Sequence, residues 1–343
     1  MKSLRMRPDR SLYFLDLPEP GELGPTEVLV RMAYASICGY DMITLAGRAA
    51  YPKNGVLGHE GSGVVIATGE KVRPSDFQIG DRVALLPFET CGQCDACRSN
   101  QSNFCVEPGG QSDFMTEYLV RDQKWLFRLP TDVSLREGCL TEPLMMAMHA
   151  VKKARLGYGK SVLILGAGAM GQIILKLVRR HPVGRVVVVE PVASKREAAM
   201  RFGADAVVAP GDGSSTMVDV LTANNGACYD AVLEVSGSRE SAQMAINLLA
   251  RGGSLVYFGL YGMDFNLEVN LFNLYWKDAT ITAVCVPSGY FPAALAMMKS
   301  LHLEEVITAE FPFSQGVEAF KEKASGRHAK VMLAFPGAQS LET

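Results

Sequence analysis

The sequence predicts an α/β protein of two domains, one β-rich and one built on a doubly wound parallel sheet. Three observations predict this. Short strand-like runs broken by glycine and proline turns fill roughly the first 148 residues. Beyond about residue 160, apolar runs of strand length alternate with helical patterns. One of those runs, Val162–Leu165, enters a Gly166-x-Gly168-x-x-Gly171 turn, and the residues after it have the apolar spacing of a helix.

In chain order, residues 28–32, 63–67 and 82–86 read as strands, punctuated by segments such as Pro18-Glu-Pro20-Gly21 and Gly80-Asp81. No long helical pattern appears before about Pro143, so a compact antiparallel, partly barrel-like domain is expected. Six further strands follow: Val162–Leu165, Val186–Val189, Ala206–Val208, and residues 231–235, 254–258 and 280–284. Helical patterns such as 194–202 and 239–251 lie between most of them, the arrangement of a doubly wound sheet. After Pro287, a helical stretch at 291–301 and a last strand at 329–335 are expected to return to the first domain. The expected division is therefore 1–148 with 287–343, and 149–286, with the site in the cleft between the lobes. Residues 337–343 read as a frayed tail.

Composition narrows the function classes. The formal net charge is −2 with no long basic run, so no nucleic-acid or polyanion partner is expected. No window approaches eighteen consecutive apolar residues, which argues against a membrane span. Residues 1–10 are basic but lack the apolar core of a signal peptide, so a cytoplasmic protein is expected.

The glycine turn carries a cofactor reading. Gly166 allows the tight turn, Gly168 the close approach of a pyrophosphate, and Gly171 the packing of helix on strand; Met170 belongs to the same loop. Phosphates would rest on the free N–H groups at the positive end of the helix. A second buried-type strand ends in Glu190, about twenty residues on, where a carboxylate can accept from ribose hydroxyls and repel a 2′-phosphate. Lys195 and Arg196 argue the other way, since cations can hold that phosphate. NAD is favoured over NADP. A structural βαβ unit without nucleotide is the bland alternative.

Eight cysteines in such a chain read as metal or catalytic sites before disulfides. Cys91, Cys94, Cys97 and Cys105 form a dense set on one short polar excursion. Four thiolates close a tetrahedral site with no position open to substrate, so a structural zinc is expected. Without metal the segment has little core to fold around. An iron–sulfur cluster or a redox dithiol would use the same residues. Cys38, His59, Glu60 and Glu142 are scattered, and spacing alone does not join them. A Cys/His/Glu set with one place open would give zinc a Lewis-acid role.

The ordered motifs Cys38-Gly-x-Asp41, Gly58-His59-Glu60, Gly80-Asp81-Arg82-Val83, the four-cysteine lobe, Glu142-Pro143 and the glycine turn resemble the zinc-dependent medium-chain dehydrogenases. The resemblance covers essentially the whole chain. Thr141-Glu142-Pro143-Leu144 followed by His149-Ala150 looks most like the sorbitol, threonine and glucose dehydrogenase branch. It implies a GroES-like catalytic domain around a Rossmann domain, and two zincs per chain. It implies a catalytic zinc on Cys38, His59 and Glu60, with Glu142 ligating directly or through water. It also implies the adenosine-ribose acid at Glu190 and a basic partner at Lys195.

One position departs from that pattern. Two residues after the ligand cysteine, where the family usually has Ser or Thr to pass the alcohol proton, this chain has Tyr40. A phenol, with an intrinsic pKa of about 10, either relays that proton or shapes the pocket. The expected activity is zinc-dependent, NAD-linked, reversible oxidation of a secondary alcohol, with a polyol, sugar or amino alcohol as substrate. The nicotinamide end is expected near Val235-Ser-Gly237 and Phe258-Gly259-Leu260. Alternatives are an NADPH-preferring carbonyl reductase, and a non-catalytic nucleotide-binding protein with the structural zinc only. The apolar run at 280–284 should lie at a sheet edge, which predicts a homodimer or homotetramer.

Overall fold

A computed structural model of the chain describes residues 1–107, 113–211, 213–287 and 289–342. Its contacts divide the chain into two compact units, Met1–Met145 with Pro287–Thr343, and Met146–Val286.

The first unit opens with an antiparallel pair, β1 (Lys2–Met6) and β2 (Leu12–Asp16). β3 (Glu27–Ser36) alternates buried and half-buried residues at first, then is wholly buried from Met32 onward. A half-covered strand has become a central one. α1 (Gly39–Leu45), β4 (Gly61–Thr68), β5 (Arg82–Leu85) and the short α2 (Asp95–Arg98) follow. β6 (Tyr118–Asp122), β7 (Leu126–Arg128), α3 (Leu135–Gly138) and α4 (Thr141–Lys153) complete this stretch.

In the second unit the chain alternates regularly. β8 (Val162–Leu165), α5 (Ala169–Val178), β9 (Val186–Val189), α6 (Ala193–Arg201), β10 (Ala206–Val208) and α7 (Gly213–Thr222) come first. β11 (Tyr229–Glu234), α8 (Arg239–Leu248), β12 (Leu249–Tyr257), α9 (Leu271–Lys277) and β13 (Thr280–Ala283) follow. The sheet is parallel throughout, in the order β10-β9-β8-β11-β12-β13. β8 and β9 are buried at every position, as strands covered on both faces must be. Each such valine contributes roughly 1.5–3 kcal/mol on leaving water. The order reverses between β8 and β11, and at such a switch point the turns after two strands diverge and leave a crevice.

The chain then returns to the first unit through α10 (Phe291–Met298), β14 (Ile307–Pro312), α11 (Gly316–Ala324) and β15 (Lys330–Ala334). The large sheet there runs β14-β15-β3-β4-β5-β7, with β6 also on β3. It is antiparallel except for the β14–β15 pair. Met32, Val65, Leu85, Phe114, Phe320 and Leu333 are among its buried core. Main-chain bonds tie three segments together at one place. Ser36 N–H donates to the Glu60 carbonyl (3.1 Å), and Ile37 N–H to that of Val331 (3.0 Å). Cys38, His59 and Lys330 stand immediately beside these bonds.

The frayed tail expected at 337–343 is not what forms. Residues Ala338–Leu341 make a 3-10 turn, and the Glu342 carboxylate accepts the main-chain N–H groups of Leu135 (2.8 Å) and Arg136 (3.1 Å). A negative side chain thus caps the positive end of α3; Thr343 lies outside the described residues. Among the described residues no helix is long and apolar enough to cross a membrane.

Candidate functional site

In the first unit, Cys38 ends the turn after β3 and serves as N-cap of α1. Its N–H donates to Asp41 Oδ2 (2.9 Å), and its sulfur accepts from Tyr40 N–H at 3.5 Å, closing a reciprocal capping box. The helix start therefore fixes the thiol. His59 precedes β4, with Nδ1 3.7 Å from Asp41 Oδ1. A carboxylate on that side of the ring leaves Nε2 for a ligand. Ligand atoms of Cys38, His59 and Glu60 all lie within 4.8 Å of one another.

Lys330, the first residue of β15, was not singled out by the sequence. Its ammonium donates to both oxygens of Glu60 (2.8 and 2.7 Å), and Ser36 Oγ also bonds Glu60 Oε2. Lysine and glutamate are 2% and 1% exposed, so each charge depends on the other. A lysine opening an otherwise apolar strand was the available signal.

Glu142, in the first turn of α4, is not part of that cluster of three. It is buried, and burial pushes its pKa up to about 7 against the pull of His59. Burial opposes a charge on His59 as well. The Cys38 thiol and Asp41 outweigh it and hold the imidazole well above its ordinary value. Burial raises the pKa of both Cys38 and Asp41. The carboxyl groups of Asp41, Glu60 and Glu142 thus share this neighbourhood with Lys330 and His59. That surplus of anionic donors, with one thiol and one imidazole, fits a divalent zinc. Tyr40 is about half-exposed, its ring edge-on to His59 with centroids 6.3 Å apart.

The sulfurs of Cys91, Cys94, Cys97 and Cys105 also lie within 4.8 Å of one another. The Cys91 and Cys97 sulfurs are 3.9 Å apart. Zinc–sulfur bonds of about 2.3 Å give a tetrahedron with edges of about 3.8 Å, so the set fits one zinc ion. Main-chain N–H groups of Cys97 and Val106 hold the Cys94 pKa down to about 6. Those of Cys91 and Cys94 donate to Cys105 and Cys91 sulfur, 3.3 Å each. Such bonds favour thiolates, the form a metal takes.

In the second unit, the glycine turn lies at the switch point. Gly166 has φ +105°, and a Cβ there would stand 2.9 Å from Ser236 Cα. A Cβ on Gly171 would overlap the Gly166 carbonyl, while one on Gly168 would meet nothing within 4 Å. Two glycines are thus demanded by packing, and the third keeps an open face where a pyrophosphate can approach. Met170 is half-buried in the first turn of α5.

Glu190 is buried just beyond β9. Its Oε2 accepts from Ala167 N–H (2.7 Å) and its Oε1 from Val192 N–H (3.0 Å). Arg196 Nη1 donates to the carbonyls of Glu190 (2.7 Å) and Pro191 (2.6 Å), so this guanidinium is committed to main chain. Lys195 lies in the first turn of α6. The turns after β11 and β12 meet: a Cβ on Gly237 would be 2.8 Å from the Leu260 carbonyl oxygen.

Comparison with known proteins gives matches along most of the chain. The family described as alcohol dehydrogenase GroES-like domain matches residues 24–131. That described as zinc-binding dehydrogenase matches residues 169–300. The chain is 31% identical to a sorbitol dehydrogenase of Ovis aries over 337 residues, covering 95% of this chain and 93% of that protein. It superposes on the crystal structure of a zinc-binding dehydrogenase of Clostridium scindens with a TM-score of 0.90 at 29% identity, over 97% of this chain and 99% of the other. A zinc-binding dehydrogenase of Sinorhizobium meliloti, solved bound to NADP, gives 0.87 at 25% identity, over 97% and 98%.

Proposed function

The chain belongs to the zinc-dependent medium-chain dehydrogenase family and is a zinc-dependent alcohol or polyol oxidoreductase; from that premise we propose NAD-linked, reversible oxidation of a secondary alcohol to a ketone. A polyol, sugar or amino alcohol is the substrate class, in keeping with the similarity to a sorbitol dehydrogenase. The observation that carries the reading is the convergence of Cys38, His59 and Glu60 within 4.8 Å.

Cys38 and His59 hold the catalytic zinc with a glutamate, Glu60 or Glu142, and the four-cysteine lobe holds a structural zinc. When bound, the catalytic zinc supplies a Lewis acid and NAD a hydride acceptor. The protein's own residues prepare the reaction. Asp41 orients His59 through Nδ1, and Ser36 and Lys330 fix the direction of the Glu60 carboxylate. Tyr40 forms a wall of the pocket beside His59.

For the cofactor, Gly166, Gly168, Met170 and Gly171 present the turn and helix start to the pyrophosphate, and Glu190 accepts from the adenosine ribose. Glu190 beside the glycine turn, and Arg196 already engaged with carbonyls, favour NAD over NADP. The similarity to an NADP-bound structure, with Lys195 close in sequence, supports the other choice. The test is reduction of NAD and, separately, NADP across a panel of polyols, sugars and amino alcohols. NAD should be preferred by about tenfold or more in kcat/KM, and Glu190→Ser should erode that preference. A wild-type preference for NADP would overturn the cofactor assignment.

The same chain is proposed to form a homodimer or homotetramer. β13 is the outermost strand of its sheet, and Leu271, Phe272, Tyr275 and Trp276 on neighbouring α9 are exposed. An open edge beside an apolar face is the kind of surface a second copy covers.

A further inference from the structure

Glu234 is the last residue of β11 and is 0% exposed. Among the described residues no basic side chain pairs with it. Three donors from two turns converge on its carboxylate instead. Oε1 accepts the Ser236 N–H (3.0 Å) and the Ser236 hydroxyl, from the turn after β11. Oε2 accepts the Tyr261 phenol, from the turn after β12. Its main-chain carbonyl accepts Phe258 N–H (2.8 Å) and Gly259 N–H (3.0 Å).

The turns touch where they are tied. A Cβ on Gly259 would overlap both Glu234 Oε2 and the Gly237 nitrogen, and Gly237 itself has φ +72°. Tyr261 is further held by its ring neighbours Phe265 and Tyr257, with centroids at 5.2 and 6.4 Å.

A carboxylate is a costly way to fill a core position. Burial pushes the Glu234 pKa up even though Ser236 and Tyr261 pull it down. Packing alone would be served as well by a neutral side chain of the same shape. What a carboxylate adds is four lone-pair directions from one point, enough to hold two separate turns at once.

We propose that Glu234 is a positioning residue for the nicotinamide end of the cofactor, its carboxylate binding Ser236 and Tyr261 so that the turns after β11 and β12 present one fixed surface. The proposal rests on the NAD reading given above. The pyrophosphate and adenosine are assigned to a different set, Gly166, Gly168, Gly171 and Glu190. The two halves of the cofactor should therefore respond separately.

The experiment is calorimetric titration of the zinc-loaded full chain with NAD and with ADP, which lacks the nicotinamide half. Wild type is compared with Tyr261→Phe and Glu234→Gln, and thermal midpoints are recorded. Each variant should weaken NAD by about tenfold, the scale of one hydrogen bond to a charged group, and leave ADP within about twofold. Glu234→Gln should melt no lower than wild type. Parallel loss of NAD and ADP affinity, or unchanged NAD affinity, would overturn the proposal. Tyr261→Phe removes a single hydroxyl and decides the matter even if Glu234→Gln fails to fold. A wild-type chain that binds ADP but neither NAD nor NADP would instead overturn the underlying function.

Discussion

Without Lys330, Glu60 would be a carboxylate at 1% exposure with only the Ser36 hydroxyl and the neighbouring His59 to offset its burial. Lys330→Met should therefore destabilise the protein by about 3–5 kcal/mol, the penalty for leaving one charge of a buried pair alone. Chemical denaturation measures it, and the double variant Lys330→Met/Glu60→Gln should recover most of the loss. A single variant as stable as wild type would contradict this. With Tyr40, half-exposed beside His59, proposed as a wall of the pocket, Tyr40→Phe should keep kcat within about twofold while Tyr40→Ala raises KM for the alcohol. A large fall in kcat for Tyr40→Phe would assign the phenol to proton transfer instead. The four clustered cysteines stood out by their density, whereas Cys38 and His59 stood out only through the ordered motifs of the family resemblance, since spacing alone does not join them. Lys330 did not, because a single lysine at the start of an apolar run reads as the edge of a strand. Its meaning depends on Glu60, 270 positions away in the chain.

At the scale of elements, the residues from Cys91 to Cys105 form α2 and a 3-10 turn of three residues, with no residue of either fully buried. Such a segment has little core of its own, in keeping with the structural zinc proposed for it. Cys94→Ser should lower the zinc content of the chain from two to one and make this segment the first site of limited proteolysis. Two zincs retained would refute the assignment of the lobe. Strands were legible where burial on both faces leaves unbroken apolar runs: β8 and β9 are buried at every position and begin and end where those runs do. β14 and α9 were not. β14 alternates exposed and half-buried residues and ends in proline, and α9 carries its large side chains outward. The tail was misread because its order comes from one distant cap, Glu342 on α3, and no periodicity announces such a contact.

At the scale of the whole molecule, β13 is the outermost strand of its sheet among the described residues and α9 carries exposed aromatic side chains, which supports the proposed oligomer. Analytical ultracentrifugation at micromolar concentration should show a dimer or tetramer, and Trp276→Glu should shift it toward monomer. A strictly monomeric wild type would contradict that assignment. The fold class was legible from the alternation of runs and the glycine turn, because both report backbone periodicity. The substrate was not, because the polar groups lining a pocket come from segments whose sequence order says nothing of their proximity. Zinc held at Cys38 is proposed to make this chain an alcohol dehydrogenase. The deciding measurement is NAD reduction by the polyol panel, with zinc content, in wild type and Cys38→Ser. Turnover and two zincs are expected in wild type, and loss of both turnover and one zinc in the variant. Turnover that survives Cys38→Ser with one zinc gone would contradict it.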